Sequence, residues 1–136
     1  MSTDLRNASS LLFRFATLVV FLQIALGGLV TFNFIAPASH IATGFAALAI
    51  ALATMIVSLV SKPSSKSVQM TAIAMFLLIA IQIPLGFVTL QTGNSVIAWV
   101  HFLDAMVIFG AAISGSFAAV RWEKVSRSVP RSALSD

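Results

Sequence analysis

Two histidines and one aspartate are the titratable side chains that fall within long apolar stretches of this sequence: His40, His101 and Asp104. A histidine inside a membrane helix is costly, and it usually faces the interior of the bundle. Two of them at matching depth on different helices are a constellation. On helices lying diagonally opposite in a bundle, they approach the axis from both sides. That is the geometry of two axial ligands on one heme iron, with the macrocycle between four helices. Asp104 follows His101 by three residues and shares its side of the helix. It is expected to orient a histidine from the second ring nitrogen, to relay a proton, or to lie protonated and merely hydrogen-bonded. A zinc site built from two histidines and one aspartate is the competing metal chemistry, and depth in hydrocarbon favours heme. There is no cysteine, which excludes disulfides, iron–sulfur clusters, thiolate metal sites and c-type heme attachment. No nucleophile triad, phosphate loop or nucleic-acid module is present, so no nucleic-acid partner is expected.

The elements that must carry these residues follow from composition. Of 136 residues, 59% are hydrophobic and 9% charged, and the mean hydropathy is +1.02. A soluble domain carries about 25% charged residues, so a water-facing globule and a disordered chain are both excluded. Four apolar runs cover about 15–35, 39–60, 70–90 and 96–120. Each is long enough to cross roughly 30 Å of hydrocarbon as a helix. Barrel strands would alternate apolar and polar residues, and these runs do not. The connections are short: Asn33 to Ser39 with Pro37, Ser61 to Ser67, and Gln91 to Ser95. Short loops predict an all-α, up-down bundle of four transmembrane helices in a single membrane domain, 1–136. Pro84 is expected to bend the third helix, and Trp99 and Trp122 to anchor at the two interfaces.

All eight basic residues fall on one side of this arrangement. Arg6 and Arg14 open helix one, and Lys62 and Lys66 separate helices two and three. Arg121, Lys124, Arg127 and Arg131 lie in a tail, 121–136. Both termini are therefore expected in the cytoplasm of a multi-pass plasma-membrane protein, with the histidines near the outer face. The tail is expected to touch anionic lipid. Ala36-Pro37-Ala38 has the small residues of a signal-cleavage site, but the apolar run before it is too long and a proline sits inside it. Helix one is expected to stay.

The chain also repeats itself. Gln23-Ile24-Ala25-Leu26-Gly27 matches Gln82-Ile83-Pro84-Leu85-Gly86 at an offset of 59, and His40 matches His101 at 61. Two parallel two-helix repeats, related by an axis along the membrane normal, are expected. From His40 one helix face continues through Gly44, Ala47 and Ala51; from His101 it continues through Ala105, Ile108 and Ala112. Small residues there, with Gly27, Gly28 and Gly86, either make room for a flat macrocycle or let backbones pack closely. Gln23 and Gln82 share a face with their glycines. They are expected to bond a cofactor or a histidine, or to hold helices together.

Gln-Ile-x-Leu-Gly twice, each followed by an outer-end histidine (His40-Ile41-Ala42; His101-Phe102-Leu103-Asp104-Ala105), resembles the heme A synthase family over about Arg14 to Trp122. Members have eight helices in two four-helix halves, each with a heme site between a pair of histidines, and this chain resembles one half. The resemblance implies that His40 and His101 are axial ligands. The family's catalytic half carries a glutamate three residues before its first histidine; Pro37 and Ala98 stand there in this chain, and a cysteine pair found in many members is missing. The half it resembles best is the one that holds heme b without reacting on it.

The leading expectation is a membrane cytochrome with heme b, or another heme type, between His40 and His101. It would serve electron transport to or from a quinol or a respiratory oxidase. A homodimer restoring eight helices, with heme A synthase-like oxidoreductase activity, is the enzymatic alternative. A cofactor-free small transporter or oxidase assembly subunit is the third.

Overall fold

The structure is a computed structural model that describes residues 2–62 and 65–128. It is an all-α four-helix bundle. Helices α1 (Ser2–Thr31), α2 (Pro37–Val60), α3 (Lys66–Thr92) and α4 (Ser95–Ser128) follow one another with short connections. Each is long and apolar enough to cross a membrane, as expected of a multi-pass membrane protein. Helix α1 packs on α2 and α4, and α3 packs on the same two, so α2 and α4 are diagonal partners.

The helices are longer than the apolar runs. Helix α1 begins thirteen residues before position 15 and ends at Thr31 rather than 35, and α4 continues to Ser128 through what reads as a tail. Arg131 and the rest of 129–136 lie outside the described residues. Apolarity reports contact with lipid, whereas the backbone ladder needs no lipid to continue. Here tertiary contacts carry it on. Ser10 Oγ donates to Glu123 Oε2 at 2.9 Å, and a half-buried Trp122 packs against the core. Trp99 is exposed and meets Phe102 edge-on, with ring centres 5.9 Å apart.

Local chemistry sets the other ends. Asn33 takes a left-handed φ of 60°, a conformation asparagine tolerates, and stops α1. Pro37 opens α2, where its missing N–H costs nothing. Gly93, at φ 61°, closes α3, and Asn94 Oδ1 then accepts from the N–H groups of Val96 and Ile97 at 2.9 and 3.2 Å. One left-handed glycine and one asparagine cap thus end one helix and start the next. Helix α3 is continuous through Pro84.

Burial follows the repeat. Ser9, Phe13, Ala16 and Val20 are buried in α1, and Val68, Ala72, Met75 and Ile79, each 59 residues on, are buried in α3. Ala47, Ala51, Thr54 and Ser58 in α2 correspond in the same way to Ile108, Ala112, Gly115 and Ala119 in α4, 61 residues on. All sixteen lie on the inward stripes of their helices. Lipid tails are as apolar as these side chains, so close packing and polar contacts must supply the association. Ser9 and Ser58 share a hydrogen bond at 3.0 Å with both residues fully buried. Thr17 and Ser116 share another at 3.1 Å.

The tightest fit joins Phe13 to Gly115. A Cβ at Gly115 would collide with the Phe13 ring, which is fully buried. Gly115→Ala is therefore expected to lower stability by about 1–3 kcal/mol, the usual range for overpacking. A Phe13→Leu change in the same chain should recover part of that loss. Unfolding in mixed micelles measures both.

Candidate functional site

The site is assembled from the repeated residues. His40 lies in the first turn of α2 and His101 in the second turn of α4. Both are held by the helix that precedes them. Gln23 Nε2 on α1 donates to the backbone carbonyl of His40 at 2.8 Å. Gln82 Nε2 on α3 donates to the carbonyl of His101, also at 2.8 Å. One turn further along each of these helices stands the glycine. A Cβ at Gly27 would lie 3.1 Å from His40 Cε1, and one at Gly86 would lie 3.0 Å from His101 Cε1. Each imidazole thus rests against bare backbone. A Cβ at Gly44 would meet Gln23 Nε2 at 3.0 Å, so that glycine admits the amide.

These positions revise the reading of the glycines as space for a macrocycle. Gly27 and Gly86 take the imidazoles, and Gly44 takes a glutamine. Gly28 faces open space within the cavity lining. The glutamines do bond at the histidines, through the backbone carbonyl, and tie α1 to α2 and α3 to α4. Thr43 belongs to the same cluster: its Oγ1 donates to Gln23 Oε1 and lies 3.1 Å from the carbonyl of His40. Sequence reading missed Thr43. Its position one turn after His40 was the available signal.

Across the diagonal the two imidazoles meet. Their ring centres are 6.3 Å apart and their planes cross at 82°. The Nδ1 atom of each ring is buried without a hydrogen-bond partner. Around them opens a cavity of about 520 Å³, lined from all four helices and including Ala105 and Ile108. That volume lies within the ~300–1,000 Å³ of small-molecule and cofactor sites. With a metal–imidazole bond of about 2.0–2.1 Å, two rings bound in line to one metal have centres roughly 6.3 Å apart. An edge-to-face stack of two rings falls at ~4.5–7 Å and would need no such cavity beside it. Imidazole nitrogens from two sides and a mainly apolar wall are a donor set and surroundings that fit a planar iron macrocycle.

Asp104 does not join this cluster. It lies outside the cavity lining, its Oδ2 is buried without a partner, and no hydrogen bond links it to His101. Spacing of three residues places it about 60° around the helix from His101, enough to turn it toward a neighbouring helix instead. Among the described residues, no three His, Cys, Asp or Glu side chains converge as a metal cluster, so the third ligand of the zinc alternative is not in place.

Replacing Gln23 by Leu removes two of the bonds that fix α2 against α1. A loss of about 0.6–2 kcal/mol is expected from interhelical hydrogen bonds in membranes, read by unfolding in mixed micelles, with the helix content unchanged. Comparison of the chain with protein-family models, with curated proteins and with solved structures gives no match to any of them.

Proposed function

We propose that this chain is a multi-pass plasma-membrane protein that binds one b-type heme between His40 and His101 and carries single electrons. One observation bears most of the weight: the 6.3 Å separation of the two ring centres across the bundle axis, beside a cavity that all four helices line. Heme iron held by two histidines supplies one-electron exchange and keeps no position free for oxygen.

The remaining work falls to the chain's own residues. Gln23 and Gln82 hold the helix segments that carry the histidines. Gly27 and Gly86 let each imidazole bring its Cε1 edge against the preceding helix, which restricts its rotation. Ile24, Ile83 and Ile108 line the cavity and keep water from it. In this reading the two halves are parallel two-helix repeats of an up-down bundle. The matched burial at offsets of 59 and 61 supports that topology.

Orientation follows from charge. Among the described residues, every lysine and arginine lies at the end of the bundle away from the histidines. The positive-inside rule then sets both termini in the cytoplasm and the heme near the outer face. A quinol or a respiratory oxidase subunit is the class of partner such a site would serve. The resemblance to the heme b-holding half of heme A synthases agrees with this reading. Pro37 and Ala98, where a catalytic glutamate would stand, give no support to oxidation of the heme itself.

The test is an absorption spectrum of the protein purified from a heme-sufficient host, oxidised and then reduced. Sharp reduced bands of a low-spin b-type heme are expected, and His40→Ala and His101→Ala should each abolish them. A colourless protein would overturn the proposal, and bands retained in either variant would remove that residue as a ligand.

A further inference from the structure

The two halves handle their glutamines differently. In the first half both ends of the amide are used. Gln23 Nε2 donates to the His40 carbonyl, and Gln23 Oε1 accepts from the hydroxyl of Thr43. In the second half Gln82 Nε2 donates to the His101 carbonyl at the same distance, but Gln82 Oε1 is buried without a partner. Thr43 follows His40 by three residues, and the residue three after His101 is Asp104. One oxygen of Asp104, Oδ2, is likewise buried without a partner.

Helix register and the repeat put these two residues at one level. Gly86 lies against His101. One turn inward from that contact on α3 is Gln82, and one turn inward on α4 is Asp104, as Gln23 and Thr43 stand one turn inward from Gly27 and His40. An ionised carboxylate has no hydrogen to give, whereas a carboxylic acid has one. An ionised Asp104 would therefore set two acceptors against each other in hydrocarbon, where unsatisfied polar groups and unpaired charges are both costly. No cation offsets the charge. Neither α1 nor α3, the helices packed on α4, carries a lysine, arginine or acid at this end. The titratable groups at this end of the bundle are the two imidazoles, His101 on its own helix and His40 on the diagonal helix.

We propose that Asp104 lies in the membrane as a neutral carboxylic acid and donates its proton to Gln82 Oε1, fastening α4 to α3 as Thr43 fastens α2 to α1. The second half then holds a removable proton one turn from His101, where the first half has an alcohol that keeps its own. The assignment rests on the glutamine pairs and not on what the histidines bind, so it stands or falls apart from the heme reading.

Infrared spectroscopy of the purified full chain at neutral pH tests it. A carboxylic-acid C=O band is expected, and growth on ¹³C-labelled aspartate should shift it in the unsubstituted protein. The other aspartates, Asp4 and Asp136, stand near the chain ends, outside the four apolar runs. Asp104→Asn should remove the band, and Gln82→Leu should move it to higher frequency by taking away the acceptor. Asp104→Thr, which copies the first half, should keep the melting temperature of the unsubstituted chain, and Asp104→Val should lower it. Absence of an aspartate-derived acid band would overturn the proposal, as would a band that Gln82→Leu leaves in place.

Discussion

Two glutamine amides, each donating to the backbone carbonyl of a histidine on the next helix, set the geometry on which the site depends. Hydrocarbon offers a side-chain amide no water, so it must find its partner inside the protein. That constraint fixes the depth and rotation of α2 against α1 and of α4 against α3. Once the glycine one turn away has brought an imidazole against the same helix, little freedom is left to the ring. The pairs then close on one another through the contacts of α1 with α4 and α2 with α3. The meeting of the two imidazoles across the diagonal follows from two independent local arrangements.

The bundle is built differently at its two ends. Toward the basic end the interior is closed by fully buried Ser9, Ser58 and Phe13, and by a glycine that gives its space to the Phe13 ring. Hydroxyls bond between helices there, and Gln69 Nε2 donates to the carbonyl of Ser58 at 3.3 Å. Toward the histidine end the stripes thin to glycine and alanine and the cavity opens. In lipid, helix association comes from close packing and polar contacts rather than from the hydrophobic effect. Close side-chain packing at the basic end, with the glutamine bonds at the other, lets the histidine end stay hollow without the helices separating. A ligand bound in the hollow end would add contacts that the free chain lacks, and so would stabilise it further.

Much of this was legible in the residues. Four apolar runs gave four helices, and Gln-Ile-x-Leu-Gly marked the two equivalent faces. The solitary histidines marked the equivalent depth. What stayed hidden has physical causes. Helix ends were misjudged because hydropathy describes the surroundings, while α1 and α4 continue on contacts such as Ser10 with Glu123. The glycines were legible as space, but spacing along one helix does not say which neighbouring side chain enters it. An imidazole fills the gap at Gly27 and an amide fills the gap at Gly44. A spacing of three residues suggests His101 as one partner for Asp104 without excluding a neighbouring helix. A face spans more than 100°, and a turn of about 60° is enough to exchange one neighbour for another.

The repeat itself separates what the scaffold requires from what it leaves free. Equivalent positions are buried throughout, yet the side chains on them differ in a coordinated way. Phe13 corresponds to Ala72 and Gly115 corresponds to Thr54. A large ring against no side chain at the α1–α4 contact is thus answered by a small side chain on α3 and a medium one on α2. Volume is redistributed between the two contacts while the backbone arrangement repeats, as a close-packed interior demands. The exchange of Thr43 for Asp104 is of another kind. The two are close in size, so packing alone gives no reason for it. What changes is the capacity to release a proton. A difference that leaves shape nearly untouched but alters the chemistry one turn from one of two otherwise matched histidines makes the halves unequal. The unequal half is the one on which chemistry beyond passive binding should be sought.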